Sequence, residues 1–293
     1  MKVLPRLLFW ALGLIWGSSF IYMKLAAEFI TPTQIVLVRV LFGFVPVAVY
    51  AWLTGVLKLA HLRHLGHLLV MALVGTIAYY YGFVKAASLL HSGVVGALSG
   101  LTPIFAWLLA TLLIADEKAT RFKLLGIAIG FIGVVLIARP FDAGVPAASL
   151  AGLAYALIGS FSIGASFAYV KKFVLPLGIP ATALITYQLG IALLVLLCTT
   201  DLDGITDVGA EPWIAAGLVI GLGILGTGVA YLIYYYIIDQ LGAVAAASVA
   251  YLPPVIALLI GAILAGEPIL LLDYIAAALI LAGVGMINRT RSG

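Results

Sequence analysis

The sequence is poor in charge. Of its 293 residues only 9% are Asp, Glu, Lys or Arg, while 65% are apolar. A water-soluble domain carries about a quarter charged and about half apolar residues. With a mean hydropathy of +1.26, no water-soluble core hides this much apolar surface, so the surrounding solvent is lipid. Cysteine is equally scarce. The single Cys198 excludes an internal disulfide framework and reads as a small buried apolar residue. The acids are few and displaced: Glu28, Asp116, Glu117, Asp142, Asp201, Asp203, Asp207, Glu211, Asp239, Glu267 and Asp273 all fall in loops or near span ends. A chain with no acid in mid-membrane argues against a carboxylate proton relay and against an intramembrane hydrolase built on paired acids. No P-loop lysine motif, HExxH or G-x-S-x-G occurs. We therefore expect no enzyme, no cofactor and no metal. His61, His64 and His67 stand three apart, but no Cys or carboxylate joins them, and the run is basic, as in a cytoplasmic surface turn. The Asn288-Arg-Thr290 sequon lies in the cytoplasmic tail and reads as a chance match.

What the chain has instead is a series of apolar runs. They cover about 6–26, 32–54, 67–88, 92–114, 121–138, 148–170, 180–199, 213–238, 242–265 and 270–288, and about 20 residues suffice to cross a bilayer. The first run follows Lys2 and Arg6 like a signal peptide but lacks a small-residue cleavage site, so it is read as a retained span. No linker is long enough for a soluble domain. Lys and Arg fix the orientation. With the N-terminus in the cytoplasm, Lys2, Arg6, Lys58, Arg63, Lys118, Arg121, Lys123, Lys171, Lys172, Arg289 and Arg291 lie inside. Only Lys24, Lys85 and Arg139 lie outside, and the acidic run Asp201 to Glu211 joins them. Ten spans with both termini cytoplasmic fit this bias. The net charge of +4 thus reports membrane orientation, and no nucleic acid is expected as a partner.

The chain repeats itself. Gly17-Ser-Ser-Phe-Ile-Tyr-Met-Lys24 corresponds to Gly164-Ala-Ser-Phe-Ala-Tyr-Val-Lys171, an offset of 147 residues. Gly75-Thr76, Tyr80, Leu101 and Pro103 correspond to Gly226-Thr227, Tyr231, Leu252 and Pro254 at an offset of 151, and Gly133 to Gly283 at 150. Residues 1–140 and 147–293 are therefore two halves of five spans each. Five is odd, so the second half enters from the opposite side, which is the inverted repeat of secondary transporters with substrate at the repeat interface.

Two five-span halves, WGSSF near the start of the first, a Pro-bearing fourth span in each and Glu267 after the ninth span resemble the drug/metabolite transporter superfamily of EamA type over essentially the whole chain. The aromatic-rich character resembles YddG-type aromatic amino acid exporters. That resemblance implies an all-α basket of ten helices in a bacterial inner (cytoplasmic) membrane. It also implies alternating access through a central cavity, lined mainly by the third, fourth, eighth and ninth spans with help from the first and sixth.

The residues narrow the site. Thr76, Tyr80 and Phe83 form one i, i+4, i+7 stripe, and Thr227, Tyr231 and Tyr234 repeat it. Under inverted symmetry both stripes should meet at the central axis. Tyr79 shares the edge, whereas Tyr81 packs against a neighbouring helix. Tyr235, Tyr236, Trp10, Trp52 and Trp213 read as interfacial belt residues, and Trp16 and Trp107 lie deep. Candidate substrate contacts are Trp16, Phe20, Tyr79, Tyr80, Phe83, Ser99, Trp107, Ser166, Tyr231, Tyr234, Ser248 and Tyr251. Pro103 and Pro254 break backbone bonds at matched positions, where wet cavities tolerate such breaks, and they serve either as gates or as simple curvature.

Arg39, the one charge well inside a span, has its counterpart near Tyr187. It is read either as facing a substrate carboxylate or as held by carbonyls. An arginine here is common among EamA-type relatives, which favours a structural or gating role. Lys24 and Lys171 read as snorkelling residues, and Lys85 and His91 as a solvated loop. The glycines suit close helix packing, notably Gly96 with Gly100, Gly126 with Gly130 and Gly133, and Gly283 beside Ala278 and Ala282. An aromatic, weakly polar cavity suits flat apolar bodies, so the expected cargo is aromatic or apolar amino acids. Cationic aromatic drugs are the alternative, followed by a passive channel or a lipid-acting enzyme. A monomer in the lipid bilayer with a small-molecule substrate is the default.

Overall fold

In lipid a single chain satisfies its own backbone either by helices or by a closed barrel, and runs this apolar resolve into helices. The computed structural model describes residues 3–113, 121–138, 147–241 and 249–289, with no strand among them. In order these are α1 (Val3–Ala26), α2 (Pro32–Leu53), α3 (Leu59–Ala87), α4 (Ser92–Leu113), α5 (Arg121–Ala138), α6 (Ser149–Leu177), α7 (Ala181–Thr199), α8 (Pro212–Leu241), α9 (Val249–Ile263) and α10 (Leu271–Arg289). Seven of them, α1 to α4 and α6 to α8, are long and apolar enough to cross a membrane, and α5, α9 and α10 carry shorter apolar stretches.

Local sequence explains the ends. Pro32 opens α2, and Thr31 and Gln34 close a capping box around it. The Gln34 amide also donates to the carbonyls of Asp201 (2.9 Å) and Asp203 (2.7 Å), tying the α1–α2 turn to the α7–α8 connection. Inside α3 and α8 the backbone widens to a π-helix, over Leu73–Ala78 and Gly217–Val229. Those stretches include the two matched threonines.

The packing exchanges the halves. α1 packs on α8 and α9, as α6 packs on α3 and α4; α2 packs on α8, as α7 packs on α3; and α4 meets α9, α5 meets α10 and α2 meets α7. Small residues make the closest of these approaches. A β-carbon on Gly96 would overlap that of Ala257 on α9, and one on Gly283 would meet the backbone of Gly126 and Gly130 on α5. Gly100 faces Ile280 and Pro254.

One expectation changes, that for the cysteine. Cys198 is exposed, because it sits on the outward face of the last turn of α7, where the solvent is hydrocarbon and imposes no reason to hide a thiol. The three histidines separate: His67 Nδ1 lies 2.7 Å from the Tyr169 hydroxyl, Arg63 donates to His64 at 2.8 Å, and His61 meets the Tyr187 ring edge-on. Tyr81 packs edge-on against Tyr155 of α6, with ring centroids 6.1 Å apart. Trp10, Trp52 and Trp213 are exposed near helix ends.

Candidate functional site

The exchanged packing leaves a cavity between the two sets of helices. It has a volume of about 390 Å³, within the range of about 300–1,000 Å³ common for small-molecule sites. Its walls are aromatic. Trp16 and Phe20 come from α1, Tyr79, Tyr80 and Phe83 from α3, Trp107 from α4, Tyr231 and Tyr234 from α8, and Tyr251 from α9. Ring contacts order them: Phe20 on Phe83 at 5.7 Å, Tyr79 on Tyr80 at 4.6 Å, Tyr79 on Phe83 at 5.5 Å, and Trp16 on Tyr234 at 5.7 Å. Edge-to-face and tilted pairs of this kind stabilise by about 0.5–1.5 kcal/mol beyond area burial and hold the walls in place.

Helix irregularities shape the floor. Pro103 has no N–H for the Ser99 carbonyl, and α4 is interrupted at Gly100–Leu101. The Ser99 hydroxyl donates back to Gly96 (2.6 Å), and Ser160 of α6 donates to the Leu98 carbonyl (3.1 Å), so part of the broken ladder is satisfied. Ser99 and Pro103 both line the cavity. In α9 it is Pro253 that lines it, while Pro254 turns towards Gly100. Ser166 does not line it, because its hydroxyl donates to Ile163 (2.8 Å) and its β-carbon faces Gly75. Ser248 lies outside the described residues. Ser19, Met23, Thr102, Phe167 and Gly226 line the cavity without having been singled out from sequence. Ser19, Met23 and Thr102 lie three residues from Trp16, Phe20 and Ser99, on the same helical faces.

The matched threonines do not reach the cavity. Both are fully buried, and each accepts a side-chain bond from the other half. Arg39 Nε donates to Thr227 Oγ1 at 2.9 Å, and Gln188 Nε2 donates to Thr76 Oγ1 at 2.8 Å. Gln188, not Tyr187, is therefore the counterpart of Arg39. Tyr187 instead exchanges hydrogen bonds with the Lys58 backbone. Arg39 lies in the cavity wall with its guanidinium 3.8 Å above the centre of the Tyr80 ring.

The two ends of the cavity differ. The lining extends to Ala110 at the end of α4, Lys171 near the end of α6 and Ala250 at the start of α9. Beside Met23, which lines the cavity near the end of α1, three elements converge on Glu267. Its Oε1 accepts from Lys24 Nζ (2.9 Å) and from the Ser92 N–H (2.8 Å), and its Oε2 accepts from the Gly93 N–H (3.1 Å). Lys24 ends α1, while Ser92 and Gly93 begin α4, where unpaired amides favour an anion. A β-carbon on Gly261 would collide with the carboxylate. Burial by itself would raise the Glu267 carboxyl, but the Gly93 amide, the Lys24 ammonium and Ser92 hold it below its ordinary value. Lys24 is thus an ion-pair partner and no mere snorkelling residue. His91 also approaches it, with Nδ1 3.4 Å from Nζ, so this turn is not simply a solvated loop. Lys85 lines a shallow pocket nearby with Glu28, Asp203 and Asp207.

No group of three or more metal-ligating side chains occurs among the described residues.

Comparison with known proteins agrees with this architecture. The model of the EamA-like transporter family matches residues 5–139 and again 150–289. The chain is 28% identical to an uncharacterized inner membrane transporter of Escherichia coli, YedA, over 95% of this chain and 88% of that one. It is 26% identical to an uncharacterized transporter of Archaeoglobus fulgidus (94% and 95%) and 27% identical to the uncharacterized transporter YdfC of Bacillus subtilis (92% and 86%). A crystal structure of another protein, 20% identical, shares the fold with a TM-score of 0.60 over 100% of this chain and 99% of that one.

Proposed function

The chain belongs to the EamA-like transporter family, and from that premise we propose that it is a secondary transporter exporting aromatic and other apolar amino acids. It works by alternating access in the cytoplasmic membrane of a bacterium, with ten spans and both termini inside. The observation that carries this reading is the aromatic-walled cavity between exchanged halves, whose lining extends to the ends of α4 and α6; the Lys24–Glu267 cluster beside Met23 is the proposed closure of its other end. In the proposed orientation the closed end faces outward and the extended end faces the cytoplasm, as an exporter loading its cargo requires. The matched halves, 1–140 and 147–293, supply the two inverted repeats. Trp16, Phe20, Tyr79, Tyr80, Phe83, Trp107, Tyr231, Tyr234 and Tyr251 are the proposed contacts to the apolar body of the cargo. The breaks before Pro103 and near Pro254 are the proposed points of bending.

Cationic aromatic compounds are disfavoured as cargo, because the lining residues among those described include Arg39 and Lys171 but no carboxylate. The test is uptake into proteoliposomes of a panel of labelled amino acids, with and without a pH gradient. Saturable tryptophan or phenylalanine flux that competitors suppress supports the carrier. Flux that rises linearly with concentration and ignores competitors refutes it.

A further inference from the structure

Arg39 is more than the scaffold requires. The two cross-half bonds onto Thr227 and Thr76 are equivalent in place and length, yet one is made by an arginine and the other by a neutral glutamine. Gln188 shows that the bond itself needs no charge. The charge on Arg39 is left without a structural partner. The residue is 3% exposed, and its Nη1 is buried with no hydrogen-bond partner among the described residues. None of the described carboxylates forms an ion pair with it; Glu267 is engaged by Lys24 instead. The Tyr80 ring beneath it, 3.8 Å away, favours a cation but accepts no in-plane N–H bond. A buried guanidinium with an open edge is an expensive arrangement unless an anion arrives to fill it.

We propose that Arg39 is the receptor for a carboxylate on the cargo, and that the carboxylate, not the α-ammonium, is the charged group the site reads. This rests on the transporter reading above and sharpens its substrate class to aromatic monocarboxylates, of which aromatic amino acids are one kind. The ammonium has no carboxylate to meet among the described lining residues and is dispensable. Tyr80 presents its face to the guanidinium, while Phe83 and Phe20 continue the apolar wall that receives the ring of the cargo.

The test reads binding separately from transport. Purified full-length protein in detergent is titrated with 3-phenylpropanoate, 3-phenylpropanamide and phenethylamine, followed by intrinsic tryptophan fluorescence. The expected order is acid over amide by at least about tenfold, the worth of one charge-assisted hydrogen bond, with the amine weakest. Arg39→Gln copies the solution found at Gln188, so the bond to Thr227 is retained and only the charge is lost. It should weaken the acid by about tenfold or more and leave the amide within about twofold. Equal binding of acid and amide by the wild-type protein overturns the proposal, whether or not the variant folds; so does tight binding of the amine, or an acid affinity unmoved in a folded Arg39→Gln. Absence of saturable flux in proteoliposomes, with acid-selective binding intact, would refute the carrier reading and leave the anion site standing.

Discussion

Glu267→Gln tests whether the convergence of α1, α4 and the α9–α10 connection is what shuts one end of the cavity. Glutamine keeps one carbonyl acceptor, enough for the Ser92 N–H. It loses the charge opposite Lys24 and presents an amide N–H₂ where Oε2 accepted from Gly93. Two charge-assisted interactions are lost, at about 1.5 kcal/mol each. The Glu267 side chain is 4% exposed but Lys24 is 27% exposed, so the lysine returns readily to water. The total therefore stays near about 3 kcal/mol, at the lower edge of what breaking a buried pair costs. That weakens closure by about a hundredfold. The reporter is a cysteine at Met23, which lines the cavity beside Lys24 and is 2% exposed, placed in a Cys198→Ser background because the native thiol is itself exposed. A membrane-impermeant maleimide applied to the face that carries Lys24 should label Met23→Cys slowly when Glu267 is present. Adding the Glu267→Gln substitution should speed labelling by tens-fold up to about a hundredfold. Equal labelling rates in the two backgrounds would refute the reasoning: the cluster would then be a fixed strut, with the end of the cavity sealed by α1 and α4 packing alone.

Tyr80→Ala and Tyr231→Ala should each raise the half-saturation concentration of aromatic flux several-fold while the protein still inserts and elutes as a single species; unchanged flux in both removes the repeated stripe from the site. Gly96→Val places a side chain where Ala257 already lies and should cost about 1–3 kcal/mol of overpacking, read as a lowered unfolding temperature in detergent, whereas Gly66, with open space around it, tolerates the same change. Glu267 titrates below its ordinary value of 4.5 when closed, so its contribution to stability is complete above that value and is lost as pH falls through the lowered one. The difference in unfolding temperature between wild type and Glu267→Gln should accordingly be flat from about pH 8 to about pH 5 and vanish on further acidification.

The sequence carried the helices well, because lipid forces apolar runs into helices and leaves charges to mark their ends. It also located most of the aromatic wall, since Tyr80, Phe83, Tyr231 and Tyr234 recur in register. It misplaced the threonines of that stripe for a local reason. The stripe assumes 3.6 residues per turn, but the backbone is π-helical around Thr76 and Thr227. The i→i+5 pattern takes more residues per turn and swings both hydroxyls away from the cavity towards α7 and α2. Gln188 was missed as the counterpart of Arg39 because the repeat offset drifts from 147 to 151 along the half, so alignment alone pointed one residue short. The Lys24–Glu267 pair spans 243 residues. Nothing local in either neighbourhood announces it; only the fold brings the two together.

The exchange of helices between the halves bears on how the protein is made. α1 and α2 find their neighbours in α8 and α9, and α6 and α7 find theirs in α3 and α4. A ribosome that has released the first five helices has therefore finished neither packed group. The second group closes once α7 is inserted, and the first waits until α9. Until α8 is inserted, α2 holds Arg39 in the membrane without Thr227, the threonine that will receive it. The helices emerging in between thus need a bilayer, or an insertion partner, that shelters an unpaired guanidinium through most of synthesis.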